Sequence, residues 1–401
     1  MVPSSVGAGF PRPERGAEGK QMKDEIRMNI PLVDLKAQYH SMKGEIDAAL
    51  KQVIDSQYFV LSGEVSGLES EIAAYCASSG AAGVASGTDA LVLALRSLGI
   101  KEGDFVITTP FTFFATAEAV SIVGAKPLFV DIDPETYNID PAKVEWFLEG
   151  MNPDEREKVK AILPVHLYGQ CADMDRIMSI AEKYGLKVIE DCAQAIGALY
   201  KGKKAGSFGD ASCFSFFPSK NLNGFGDGGM VVSANAKMIE RIKKLRVHGS
   251  RETYIHEEIG YNSRLDSLQA AVLRVKLKKL DSWLERRRAI AGEYNKAFTS
   301  SGIVIPVTGE GNTHTYHQYT IAVEGRDDFL QYLNDKGIAA RVYYPVPLHL
   351  QPCYRDLGYA IGSFPISEKT AEKVLSLPIY PELTEKEIEY IIQTVRSYVN
   401  S

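Results

Sequence analysis

At 401 residues the chain is too long for one small core, and 45% hydrophobic with 24% charged residues is the composition of an ordinary globular protein, so a large domain plus a smaller one is the expectation. A formal net charge of -6, with no Lys/Arg run interleaved with aromatics, argues against nucleic acid as a partner, and no apolar run approaches the roughly 20 residues of a membrane span. Five scattered cysteines (Cys76, Cys171, Cys192, Cys213, Cys353) lack zinc or redox spacing, so no metal site is expected and the thiols read as reduced.

In chain order, residues 1 to 28 come first, rich in breakers (Pro3, Gly7, Gly9, Pro11, Pro13, Gly16) and poor in large apolar side chains. They are expected to be disordered, or an extension upstream of a start near Met28; they lack the pattern of a signal peptide, which leaves the cytoplasm as the compartment. From Ile30 onward, short apolar runs alternate with helical periodicities, the pattern of an α/β fold. A helix is predicted from Thr88 through Leu98, with Leu91, Ala94 and Leu95 on one face, and another from Asp175 to Tyr184, which Gly185 ends. Buried strands are predicted at 105–108, 127–130, 161–165 and 187–190. Residues 264 to 298 read as one long charged helical run that could link two domains. Strand-like stretches at 319–323 and near 339–344 and an amphipathic helix at 384–399 complete a small α+β C-terminal domain. The expected division is a large domain over 29–280 and a small one over 281–401.

Three local features carry chemistry. Ser215-Phe216-Phe217-Pro218-Ser219-Lys220 runs into the glycine-rich Asn221-Leu222-Asn223-Gly224-Phe225-Gly226-Asp227-Gly228-Gly229; a lysine there can lie in a partly desolvated pocket, which lowers its pKa and frees the amine as a nucleophile. Val188-Ile189-Glu190-Asp191 is a strand ending in a carboxylate, at the sheet edge where open α/β folds bind ligands. Ala85-Ser86-Gly87-Thr88-Asp89 is a small-residue turn opening a helix, whose free N–H groups suit a phosphate. Taken singly these are a solvated loop lysine, a helix cap and a capped turn; their joint occurrence carries the argument.

Together with Phe-Thr-Phe-Phe-Ala-Thr at 111–116, Glu-Asp-Cys-Ala-Gln at 190–194 and Gly-Tyr-Asn-Ser-Arg-Leu-Asp at 260–266, these stretches resemble the DegT-type nucleotide-sugar aminotransferases from about Ile30 to the C-terminus. The resemblance implies the fold-type I architecture: a large domain with a mostly parallel mixed sheet between helices, and a small α+β domain. It implies pyridoxal 5'-phosphate (PLP) as cofactor. Lys220 would hold it as a Schiff base and act as the proton-transfer base, while Asp191 would pair with the pyridine nitrogen. Gln194 would touch the ring's phenolic oxygen, Phe113 would stack on the ring, and Gly87, Thr88 and Ser215 would hold the phosphate. Asn262 would reach the phosphate in the neighbouring subunit's site, with Arg264 close to it, so that a homodimer shares its active sites. Tyr343, Tyr344 and His317 are expected at the sugar site; several relatives have His where Tyr343 stands, and Gly is commoner where Asn223 stands.

The expected reaction is ping-pong transamination of a nucleotide-linked keto sugar, with glutamate as amino donor, for amino-sugar and polysaccharide biosynthesis. Relatives associated with C4 amination more often carry Gly-Glu-Gly-Gly after the lysine, and His or Asn where Phe217 stands. Phe217 and Gly226-Asp227-Gly228-Gly229 therefore point to C3. The favoured substrate is a UDP-linked 2-acetamido-3-keto uronate, whose carboxylate Arg264 could pair. The alternatives are a dTDP-3-keto-6-deoxyhexose, or a PLP-binding regulator without turnover. Arg246, His248, His314 and Arg341 are further candidates for the nucleotide end.

Overall fold

The computed structural model describes residues 28–252 and 254–400; the expectation of disorder for residues 1–27 lies outside them. Seven strands form the central sheet: β1 (Gly80–Val84), β2 (Phe105–Thr108), β3 (Lys126–Phe129), β4 (Val159–Ile162), β5 (Lys187–Asp191), β6 (Ala211–Ser215) and β7 (Gly229–Ser233). Their spatial order is β1-β7-β6-β5-β4-β2-β3, parallel throughout except for β7, which runs against both of its neighbours.

Consecutive side chains in a strand point to opposite faces, and here each face has its own core. Val106, Ala161, Ile189, Cys213 and Val231 pack on one side. Their chain neighbours Ile107, Ile162, Val188, Phe214 and Met230 pack on the other. Both faces are covered by helices, so the strands read as continuous apolar runs, each buried aliphatic side chain contributing about 1.5–3 kcal/mol. Helix α1 (Gly87–Ser97) has Ala90 through Leu95 buried in succession, because it packs against the sheet and against the neighbouring helix α2 (Ala115–Ile122). Helix α3 (Met174–Tyr184) covers the other face and stops at Gly185, which takes the left-handed conformation at φ 65.

The predicted helical run of 264–298 is two helices, α4 (Ser267–Leu277) and α5 (Leu280–Phe298). At the junction the Lys279 amide bonds Lys276 three residues back, at 2.9 Å, which tightens the last turn without any glycine or proline. Helix α5 starts in the large core through Leu280 and Leu284 and ends in a separate core through Ile290, Tyr294 and Phe298. That second core packs around the antiparallel pair β8 (Tyr319–Ala322) and β9 (Val374–Leu377) and the helix Glu385–Val399, which opens with a Thr384/Glu387 capping box.

The strand expected near 339–344 does not form. This stretch makes only a single bridge, Arg341 to Ser376, and carries a cis peptide between Tyr343 and Tyr344. Its extended backbone turns inward to present side chains instead of pairing along its length. No helix among the described residues is long and apolar enough to cross a membrane.

Candidate active site

The carboxyl ends of β5 and β6 and the start of α1 meet at one cavity of about 700 Å³, lined by Gly87, Thr88, Phe113, Asp191, Gln194, Ser215, Lys220, His317, Tyr343 and Tyr344 among others. Ten residues singled out from sequence therefore converge. Asn262 and Arg264 do not line it.

The first wall is built for an anion. Ser86 caps α1, its hydroxyl accepting the Asp89 N–H at 3.1 Å, and the following first-turn amides point out of the helix. A Cβ on Gly87 would lie 2.6 Å from that of Ser215, so only glycine lets the helix end and the β6 hydroxyl approach this closely.

The second wall is built for a cation. Asp191 is buried, accepts the Thr116 hydroxyl at 2.8 Å and the Ala193 amide at 3.1 Å, and has no ion-pair partner within 4.0 Å among the described residues. Burial raises its pKa above the usual aspartate range, against the pull of the Ala193 and Thr116 bonds and of Lys220. Opposite it, burial lowers the half-buried Lys220 amine to about 8, and the Asp191 charge only partly restores it. An amine with that pKa has a large neutral fraction near pH 8, which is the nucleophilic form.

Gln194 is held from both ends: its Oε1 accepts the Tyr168 amide at 2.8 Å and its Nε2 donates to the Tyr344 hydroxyl at 2.9 Å. Tyr168 in turn donates its hydroxyl to the Tyr343 carbonyl. Phe113 stands at the mouth, exposed, its ring 6.1 Å from that of Tyr344. His317 is buried, its Nδ1 3.4 Å from Asn221 Oδ1; burial, then the positive Lys220 and Arg287, hold its pKa well below the usual histidine range, so it is a neutral group.

The 260–266 segment is pinned beneath α1. Ser263 donates to Asp89 at 2.7 Å and accepts the Ala85 amide at 3.2 Å, and Leu265 is buried beside it. By strand-like alternation Asn262 and Arg264 face the other way, Asn262 exposed and Arg264 half-buried. Of the remaining nucleotide-end candidates, Arg341 lines the cavity. Arg246 is buried in an ion pair with Glu69 at 2.5 Å, and His314 is buried and stacked on Tyr316 at 4.1 Å. His248 is exposed, its carbonyl 2.9 Å from His256 Nδ1.

Sequence reasoning missed three groups. Thr116 lay within a quoted motif but was given no role. His166 and Glu190 sit behind Asp191, fully buried, 2.9 Å apart. Glu190 also accepts the Gly206, Phe208 and Gly209 amides at 2.9 Å and the Ser212 hydroxyl at 2.8 Å, while His166 Nδ1 accepts the Ala172 amide at 3.1 Å. Their ligating atoms, with Cys192, could geometrically hold a metal, but both ring nitrogens and both carboxylate oxygens are already taken by the protein. Arg287 was hidden in the charged run of α5. Its signal was available: it falls on the apolar stripe Leu284, Ile290, Ala291, Tyr294, Phe298.

A PLP molecule needs an anion cradle, a carboxylate for its ring nitrogen and a free amine, and this donor set offers all three. Asp191 as a buried carboxylate without a counter-ion is the feature that a protonated pyridine would complete.

The profile of the DegT/DnrJ/EryC1/StrS aminotransferase family matches residues 40–396. A pleiotropic regulatory protein of Geobacillus stearothermophilus is 48% identical over 92% of this chain and 99% of its own length. A UDP-N-acetyl-3-dehydro-alpha-D-glucosamine 3-aminotransferase of Acidithiobacillus ferrooxidans is 46% identical, covering 92% of this chain and 97% of its own. The crystal structure of NtdA from Bacillus subtilis with bound cofactor PMP superposes with a TM-score of 0.86 at 31% identity, over 95% of this chain and 87% of that one.

Proposed function

The chain belongs to the DegT/DnrJ/EryC1/StrS aminotransferase family and is a PLP-dependent sugar aminotransferase; from that premise we propose that it transfers the amino group of glutamate to C3 of a nucleotide-linked 3-keto sugar. A UDP-linked 2-acetamido sugar is the first candidate, as a 3-keto uronate or its neutral counterpart. The observation that carries the transamination chemistry is the pair of opposed groups at one cavity, a buried Asp191 without counter-ion and a Lys220 amine lowered to about 8; support for C3 comes from the similarity to a 3-aminotransferase.

When bound, the cofactor supplies an electron sink for carbanion chemistry at the carbon bearing the amine. Lys220 then moves one proton to and from that carbon through its Nζ, in both halves of a ping-pong cycle. Asp191 holds a positive charge at the far side of the site, and Thr116 keeps the carboxylate turned toward it. Gln194, fixed by Tyr168 and Tyr344, would orient the ring oxygen side, and Phe113, which lines the cavity, would cover a ring face. Gly87, Thr88 and Ser215 hold the phosphate.

Asn262 and Arg264 complete the site of a second copy in a cytoplasmic homodimer. Supporting this, the neighbouring segment exposes Tyr254 at 91% and Ile259 at 84%, and the exposed run Tyr58 to Leu61 bridges to Asp266 through Val60. An apolar strip of that kind is what an interface covers. The separate cores support a division at about residue 280 into a large cofactor-holding domain and a small one.

The test is direct: a panel of UDP- and dTDP-linked 3-keto and 4-keto sugars with glutamate, the product read by mass and NMR. Nitrogen on C3 supports the reading; nitrogen on C4 overturns it.

A further inference from the structure

The cavity has a third wall that the cofactor reading leaves unused. Arg287 is 5% exposed and lines it, yet only Nη1 is engaged, donating to the carbonyls of Ile379 at 2.7 Å, Tyr316 at 3.0 Å and His317 at 3.5 Å. No carboxylate lies within 4.0 Å of it among the described residues, and the Glu382 charge acts on it only from farther away. A second polar group in the same cavity is unsatisfied. The Gln318 side chain lines the same cavity, 9% exposed, with its Oε1 buried and without a partner.

A buried guanidinium normally has a carboxylate beside it, because removing an ion from water is costly unless it is paired. Unpaired donors converging on a cavity mark a place where an incoming anion completes the pairing. The Gln318 amide serves either way round, since turning it by half a revolution exchanges its oxygen for an N–H donor. A neutral His317 adds no charge to compete.

We propose that Arg287, with Gln318, forms the subsite that receives a carboxylate of the amino donor, in the cavity that Lys220 also lines. This rests on the transaminase reading above and names the group that selects an amino acid in the first half of the cycle. A neutral keto sugar, entering the same cavity in the second half, brings no carboxylate for it.

The experiment uses the PLP-loaded protein and follows loss of cofactor absorbance in single turnover with glutamate, glutamine and isoglutamine, the two monoamides. Wild type is expected to react at least 30-fold less efficiently with one of the amides than with glutamate, and Arg287→Gln to shrink that discrimination to within about threefold. Glutarate, a dicarboxylate with no amine, is expected to bind wild type calorimetrically and Arg287→Gln at least 30-fold more weakly, with Arg287→Lys between them. The second half, PMP-loaded protein with a neutral UDP-linked 2-acetamido-3-keto sugar, is expected to lose less than the first half. A discrimination ratio that survives in Arg287→Gln, or equal losses in both half-reactions, overturns the subsite and leaves Arg287 as a clamp on three carbonyls. Because ratios are compared within each variant, a loss of stability does not hide the answer. If glutamate fails to bleach wild type, glutamate is not the donor, and the subsite argued for its carboxylate falls with that reading.

Discussion

The Thr116 hydroxyl donates to Asp191 Oδ2 at 2.8 Å, and the Thr112 hydroxyl lies 3.0 Å behind it. A hydrogen bond to a charged acceptor contributes about 1.5–3 kcal/mol. Thr116→Val, nearly isosteric, is therefore expected to weaken PLP binding by roughly tenfold or more, and to move the acid limb of the pH–rate profile upward because Asp191 becomes easier to protonate. Titration of apoprotein with PLP checks the first part. Unchanged affinity would show that Thr116 only fills space.

Lys220 is expected to capture PLP in its neutral form. Its folded pKa is lowered to about 8 by burial, so the rate of covalent capture by apoprotein should rise with pH and level off above about 8, well before an ordinary lysine would. Lys220→Ala should abolish borohydride-fixable cofactor and turnover alike. Residual transamination in that variant would refute the assignment.

Mixed dimers test which subunit uses Asn262. Lys220→Ala and Asn262→Ala protomers are each expected to form nearly inactive homodimers. Random mixing yields about half heterodimers, each with one intact site if Asn262 acts across the interface, and so about a quarter of wild-type activity. Recovery no greater than the sum of the two parents would place Asn262 in its own chain's site.

Glu190 predicts a stability effect separate from catalysis. Burial alone would raise its pKa, but the His166 bond and the surrounding amides more than offset this and hold it below the usual range. A lowered folded value means the stabilisation is present above the ordinary glutamate range and is lost as pH falls through the folded value, so acid unfolding should fall below about pH 4. Glu190→Gln should cost about 3–5 kcal/mol by urea unfolding and bring the acid transition upward.

Much of this was legible in the sequence because the large domain is built from segments whose local pattern and tertiary role agree. Phe105–Thr108 appears as read, and the β5 and α3 segments differ by one residue at an end. The failures share a cause. Nothing in Lys278-Lys279 breaks a helix locally, so the division of α4 from α5 reflects packing of each against a different partner. The 339–344 stretch is β-rich in composition, yet Tyr343 and Tyr344 are used to line a cavity and not a sheet. In the site, residues grouped in short motifs were found, whereas His166 and Arg287 enter from distant segments that only the fold brings together.

Glu190 and Asp191 are adjacent acids at the end of β5, one fully satisfied inside the protein and the other left for a ligand. Because neighbours along a strand face opposite ways, sliding β5 by one position against β4 and β6 would reverse the faces they point to. The reversal would strand Asp191 among amides spaced for a longer side chain and push Glu190 toward the cavity. Two acids of unequal length thus act as a key for strand alignment, so that a chain assembled out of step is penalised during folding before it ever meets its cofactor.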